Sequence, residues 1–270
     1  MPKVKIVDIN IYYEIHGKGE PLVLNSGGGG SIESQVQRIK VFSPEYQIVA
    51  YESRGAGRSD APDIPYTMEM YADDLAGLLD VLGIDSAHIF GESFGGIVAQ
   101  YFTLGYPERV RSLILASTVC GGQYTVMPSA EAMKIITTSP KMPPEERASE
   151  ILRLFMTREY AEKNPDIMQH MMGRMVEYSA PSGRAIRWQQ ASMAADTCER
   201  LPEIKAPTLV VHGEADKALP VENSRILASR IPNAELVIFP NAGHLLIEAW
   251  EEYCKVMLDF LKRHSHQEKE

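Results

Sequence analysis

His88-Ile89-Phe90-Gly91-Glu92-Ser93-Phe94-Gly95 joins a short apolar run to a G-x-S-x-G turn, and beyond it Ile97, Val98, Tyr101 and Phe102 recur at helical spacing. The pattern predicts a buried strand, a tight turn and a helix in immediate succession. With glycine and serine at ordinary abundance, G-x-S-x-G arises by chance in roughly one in ten chains of this length, so placement rather than pattern carries the weight. A strand-to-helix turn projects the Ser93 hydroxyl from the sheet edge, and the flanking glycines let the backbone take that geometry. The helix N-terminus then directs the Phe94 N–H toward any negative charge developing nearby. The alternative is that Ser93 merely caps a helix.

Outward from this turn, Ile9, Ile11, Tyr13 and Ile15 alternate with polar residues as in a half-buried strand. Leu22–Leu24, Ile48–Tyr51, Leu113–Ala116, Leu209–Val211 and Leu236–Phe239 are instead nearly continuous apolar runs. Strands covered on both faces have this character, as in a parallel sheet between helices. One helix follows Thr67 as N-cap, with Tyr71, Leu75, Leu78, Leu79 and Leu82 on one face and Gly83 as its stop. The helix after Ser93 ends at Gly105-Tyr106-Pro107, and a last helix carries Ile247, Trp250, Cys254, Met257, Leu258 and Leu261. This alternation predicts an α/β fold with a mostly parallel, doubly wound sheet.

The alternation breaks at 121–203, where helical patterns are separated by Pro128, Pro140, Pro143-Pro144, Pro165 and Pro181. We expect a core built from 1–120 and 204–270, with 121–203 as a helical cap lying over the sheet. Methionines concentrate in the cap, and Met127 and Met172 are candidates for a soft apolar substrate lining, although methionines on helices more often simply pack. The tail from His264 to Glu270 reads as disordered.

Composition narrows the function. The chain of 270 residues is 44% apolar and 23% charged, which fits a globular protein and excludes collagen, coiled coil and disorder. Its 27 basic and 36 acidic residues leave a formal charge of −9, which repels nucleic acid and anionic membranes and is neutral toward a small uncharged substrate. Cys120, Cys198 and Cys254 match neither a disulfide framework nor a zinc spacing, and no metal or cofactor is implied. With no leader-like amino terminus and no membrane-length apolar run, the expectation is a cytoplasmic protein.

A serine hydroxyl at neutral pH needs a base within hydrogen-bond reach and a carboxylate to orient that base. His244, in a loop after the last strand, is the best placed base. His264 and His266 lie in the tail, His16 in an early turn, His88 at the wrong end of its strand and His170 in the insertion, while His212 still belongs to a strand end. Asp216 follows the penultimate strand and is preferred to Glu214, which stands earlier in the same turn. Ligands of an open parallel sheet gather at the carboxyl ends of its strands, where Ser93, Asp216 and His244 would converge. The run Asn25-Ser26-Gly27-Gly28-Gly29-Gly30 offers backbone donors, and Gly28 with Phe94 is the expected oxyanion hole. A phosphate loop is the weaker alternative, because no Lys-Ser or Lys-Thr follows the glycines.

Together these residues resemble the α/β-hydrolase family over nearly the whole chain apart from the insertion. Glu52-Ser53-Arg54-Gly55-Ala56-Gly57-Arg58-Ser59 is similar to a D-x-R-G-x-G-x-S element of that family, in which Arg54 and Ser59 would be scaffold. The insertion matches the family's cap. The resemblance implies a serine hydrolase of carboxylic esters with Ser93 as nucleophile, His244 as base and Asp216 as orienting acid, acting on a small-molecule ester. Lactone or carbon–carbon bond hydrolysis, aminopeptidase action, cofactor-free oxygenation and a non-catalytic ligand receptor are the alternatives on the same scaffold. Ser26 stands where the family often has histidine, so its hydroxyl is expected to tighten the loop or add a donor to the substrate site. Glu92, beside the nucleophile, is expected to raise the proton affinity of His244 or to pack beneath the sheet.

Overall fold

The computed structural model describes residues 3–28, 30–177 and 182–265. In chain order the first half runs β1 (Lys3–Ile6), β2 (Ile9–His16), β3 (Glu20–Asn25), α1 (Val36–Phe42), β4 (Tyr46–Tyr51), α2 (Met68–Val81), β5 (Ala87–Glu92), α3 (Phe94–Gly105) and β6 (Val110–Ala116). These strands join β7 (Thr208–Gly213) and β8 (Glu235–Phe239) in one eight-stranded sheet of order β1-β2-β4-β3-β5-β6-β7-β8. β1 and β2 pair antiparallel, as do β2 and β4, whereas every other neighbouring pair is parallel.

The continuous apolar runs become strands covered on both faces because successive side chains point to opposite sides. Val23, Leu113, Leu115 and Val210 face Leu75 and Leu79 of α2 and Phe102 of α3. Their neighbours Leu22, Leu24, Ile114, Leu209 and Val211 face Phe42 of α1 and Tyr253, Met257 and Phe260 of the last helix. Each such side chain contributes about 1.5–3 kcal/mol when fully buried, so a shift of register by one residue would exchange both faces at great cost. The Thr67 hydroxyl accepts the Met70 N–H at 3.3 Å to start α2, and Gly83, at φ +66°, follows its end. β1 was not anticipated from the sequence: it is a short edge strand of which only Ile6 is buried.

Between β6 and β7 lie α4 (Ala130–Thr138), α5 (Pro144–Phe155), α6 (Arg158–Lys163), α7 (Pro165–Glu177) and α8 (Ser182–Ala194). Pro144 and Pro165 each occupy a first helical position, where the missing N–H has no partner to lose. The insertion leaves and rejoins the core at one neck, where an isolated bridge pairs Gly121 with Asp196 and the Thr197 N–H donates to the Cys120 carbonyl at 2.8 Å. The chain finishes with α9 (Glu222–Arg230) and α10 (Trp250–His264). α10 thus carries the start of the expected disordered tail to His264, while 266–270 and Pro181 lie outside the described residues. Among the described residues no helix is long and apolar enough to cross a membrane.

Candidate active site

β5 ends at Glu92 and α3 begins at Phe94, leaving Ser93 alone to turn the chain at φ 54°, ψ −121°. A non-glycine residue held there stores about 1–3 kcal/mol of strain, which the surroundings must hold in place. Ser93 is pinned on both sides: its N–H donates to the Ala116 carbonyl at 2.9 Å, and its own carbonyl accepts from the Thr118 hydroxyl at 2.7 Å. The glycines of the motif are required by close approach. A Cβ on Gly91 would lie 2.3 Å from the Gly95 carbonyl oxygen, and one on Gly95 would lie 2.3 Å from that of Asn25. The second contact presses the start of α3 against the glycine loop after β3. Ser93 itself stays half-buried.

That loop is held from below. The Asn25 side chain donates to the Phe90 carbonyl at 2.8 Å and accepts from the Tyr51 hydroxyl at 2.5 Å. The Ser26 hydroxyl accepts from Gln35 Nε2 at 2.9 Å, Gln35 Oε1 accepts from Arg38 at 3.2 Å, and Arg38 pairs with Glu92. Ser26 therefore ties the loop down through a buried chain of side chains that ends next to Ser93. Gly27 stands closest, since a Cβ built on it would be 3.7 Å from the Ser93 Cβ, and Gly28 follows under the indole of Trp188. As the first residue of α3, Phe94 has an N–H with no carbonyl partner within the helix. Of the positions expected to form an oxyanion hole, Phe94 follows Ser93 directly, whereas Gly28 follows the glycine that stands nearest to Ser93 and itself meets Trp188; Gly29 lies outside the described residues.

Off β7 and β8 the turns interlock. The Ala215 N–H donates to the Ala242 carbonyl at 2.9 Å, which draws the loops carrying Asp216 and His244 together. His244 Nδ1 and Asp216 Oδ2 are 2.6 Å apart, with both side chains almost wholly buried. A carboxylate can only accept here, so Nδ1 carries the proton and Nε2 is left as the basic nitrogen. Burial opposes protonation of His244, but the charge and hydrogen bond of Asp216 outweigh it, with a smaller push from Glu92, and its pKa is raised above the usual imidazole value. Burial also works against ionised Asp216, yet the two histidines around it hold its pKa down to about 2. Glu214, the rival acid, is exposed, and its backbone N–H donates to the Phe239 carbonyl at the end of β8 at 3.0 Å.

Glu92 does both things anticipated for it, packing beneath the elbow against Arg38 and adding to the field at His244. His212 was set aside as a base because it still belongs to β7; the structure places its Nε2 3.0 Å from Asp216 Oδ2. Its spacing of four residues from Asp216 was a signal in the sequence, unreadable until the turn was seen to fold back on its strand. Arg54 pairs with Asp74 at 2.6 Å and Ser59 bonds Tyr12 and Glu52, both in scaffold positions.

Aromatic and aliphatic groups surround the site. The Phe155 ring lies 4.5 Å from the His244 ring, and Trp188 packs 5.6 Å from Phe94 in a cluster with Val119, Ala191 and Leu219. Met127 and Met172 are not part of this cluster: Met127 is 56% exposed ahead of α4, and Met172 is half-buried on α7. Among the described residues no group of three or more His, Cys, Asp or Glu is arranged to hold a metal ion.

The chain belongs to the α/β-hydrolase family: the family model for the alpha/beta hydrolase fold matches residues 20–164 and 177–249. It is a hydrolase with relatives of differing chemistry. It is 32% identical over 273 residues to the 2-hydroxy-6-oxononadienedioate/2-hydroxy-6-oxononatrienedioate hydrolase of Burkholderia vietnamiensis, covering 95% of this chain and 92% of that one. It is 30% identical over 252 residues to the poly(3-hydroxyalkanoate) depolymerase of Ectopseudomonas oleovorans, covering 90% and 84%. Among solved structures, the enol-lactonase of Burkholderia xenovorans LB400 superposes with a TM-score of 0.85 at 26% identity, over 97% of this chain and 100% of that one.

Proposed function

We propose that this hydrolase cleaves carboxylic esters of small, largely apolar molecules through an acyl-enzyme on Ser93. The observation that carries the proposal is the buried 2.6 Å bond between Asp216 and His244, formed on the same sheet edge as the strained, half-buried Ser93. His244 Nε2 takes the Ser93 proton as Oγ attacks the carbonyl carbon, and the carbonyl oxygen gathers charge toward the N–H groups of Phe94 and Gly28. The proton passes to the leaving alcohol, and water attacks the acyl-enzyme with His244 again as base. Asp216 fixes the tautomer throughout. The helices between β6 and β7 act as a cap, with Phe155 and Trp188 supplying its apolar inner wall over the site. A poly(3-hydroxyalkanoate) is a polyester and an enol-lactone is a cyclic ester, so two of the likenesses share this bond type. The formal charge of −9 suits an uncharged small molecule better than a nucleic acid or an anionic membrane.

The test is labelling with a fluorophosphonate, followed by p-nitrophenyl esters of graded acyl length, an enol-lactone and a 2-hydroxy-6-oxo-dienoate. We expect Ser93 to be labelled, the apolar esters to be the better substrates, and Ser93→Ala to lose about four to six orders of magnitude in kcat. Ester turnover undiminished in Ser93→Ala would refute the assignment; preference for the dienoate would transfer it to carbon–carbon bond cleavage.

A further inference from the structure

We propose that His212 is a positioning residue for Asp216, donating a second imidazole hydrogen bond to the same carboxylate oxygen that His244 uses. This rests on the hydrolase mechanism above and adds to it a group that never touches substrate. His212 lies in the last turn of β7 and is fully buried. Its Nε2 faces Asp216 Oδ2 at 3.0 Å and the Leu219 carbonyl at 2.9 Å. Both partners are acceptors, so Nε2 must carry a proton. Nδ1 lies 2.6 Å from the Ser224 hydroxyl on α9, so both ring nitrogens have partners. The other Asp216 oxygen accepts the N–H groups of Ala218 at 2.8 Å and Leu219 at 2.9 Å. The carboxylate is thereby clamped at both oxygens, and only Oδ2 is divided between two rings.

Division of Oδ2 has a chemical consequence. A carboxylate that already accepts from His212 is less basic toward His244, so its pull on the His244 proton is moderated. Without the His212 donor, Asp216 would hold the protonated form of His244 more strongly, and the neutral base would appear only at higher pH. Among the described residues, charged groups near this pair include Glu92, which is paired with Arg38 on α1 and adds to the field at His244, and Glu248, which accepts the backbone N–H of Gly243. Neither lies between His212 and Asp216, and both are unchanged by substitution of the imidazole.

The experiment compares His212→Gln, whose amide can donate from the position of Nε2, with His212→Leu and His212→Asn, which cannot reach Asp216. The pH dependence of Ser93 labelling by a fluorophosphonate and of kcat/KM on p-nitrophenyl acetate is measured for each. We expect the acid limb to move up by about half a unit to one unit in the Leu and Asn variants and to stay near the wild-type position in Gln. A purely structural histidine would lower Tm in all three and leave the limb in place, which would overturn the proposal. In the wild-type protein, 15N NMR reads the ring directly without any variant needing to fold. A proton held on Nε2 of His212 through the pH range of activity supports the proposal, whereas an Nδ1–H tautomer with a bare Nε2 overturns it. Failure of Ser93 to label at all would sink the hydrolase mechanism and would be told apart by the NMR result.

Discussion

His244 is both well buried and more basic than a free imidazole, a combination that exists only because an ionised Asp216 touches it. In the proposed mechanism turnover requires neutral Nε2, so activity should be lost as pH falls through the folded-state pKa, which lies above the ordinary value of about 6.5. A pH profile of kcat/KM should therefore show its acid midpoint above that value. Stability runs the other way for this group: a raised histidine pKa contributes fully below the unfolded value and fades as pH rises through the folded one. For Asp216 the contribution is present above about 3.9 and is lost as pH falls toward its folded pKa. Glu92→Gln should lower the acid midpoint, because one of the charges favouring protonated His244 is removed. It should also lower Tm, since Arg38 would be left buried beside a neutral amide. Ser93, Asp216 and His244 were legible as candidates because each follows a strand, and strand ends in a parallel sheet share an edge. The roles of Arg38 and His212 were not, because they depend on which distant side chains the folded loops bring within 3 Å or so.

Among elements, the glycine loop after β3 and the elbow after β5 are one assembly, joined by the Ser26–Gln35–Arg38–Glu92 chain and by the close approach of Gly95 to the Asn25 carbonyl. Ser26→Ala would strand a buried Gln35 N–H at a cost of about 1–3 kcal/mol and let the loop drift from Ser93. Reduced Tm together with a fall in kcat of more than about twofold is expected; unchanged kcat would separate the loop's stability from catalysis. Gly95→Ala should be far more damaging, since the added methyl meets backbone that cannot yield, and circular dichroism melts should report it. The long helices α2, α3 and α10 were readable from their apolar stripes and stop signals. α1, α9 and β1 were not, because each is short and much of it is polar or exposed.

For the molecule as a whole, the helical insertion is fastened to the core at more than its neck. Glu248, just before α10, accepts the Thr157 N–H at 2.7 Å between α5 and α6 and the Gly243 N–H at 3.1 Å beside His244. A Cβ on Gly243 would lie only 2.4 Å from the Phe155 carbonyl oxygen, so the histidine loop and the end of α5 sit backbone to backbone. Glu248→Ala should loosen this joint and raise KM, with faster amide hydrogen exchange around Thr157 and Gly243 as the direct readout. The loss of strand patterns and the run of prolines at 121–203 led to the expectation of a helical insertion, and among the described residues α4 to α8 lie between β6 and β7. Its attachment to the catalytic loop was hidden in a single glutamate that reads, in the sequence, as any solvated first-turn acid.

This second attachment bears on attempts to change specificity by swapping whole insertions among relatives. A chimera cut at the neck would leave Glu248 and Gly243 facing a foreign α5–α6 corner, and His244, the proposed general base, would lose its footing even if the new pocket were well shaped. Recombination that carries the Phe155–Thr157 corner along with the host segment 243–248 keeps that seam intact, while an exchange of α8 must also preserve the packing of Trp188 on Phe94 and the Arg187–Asp63 pair.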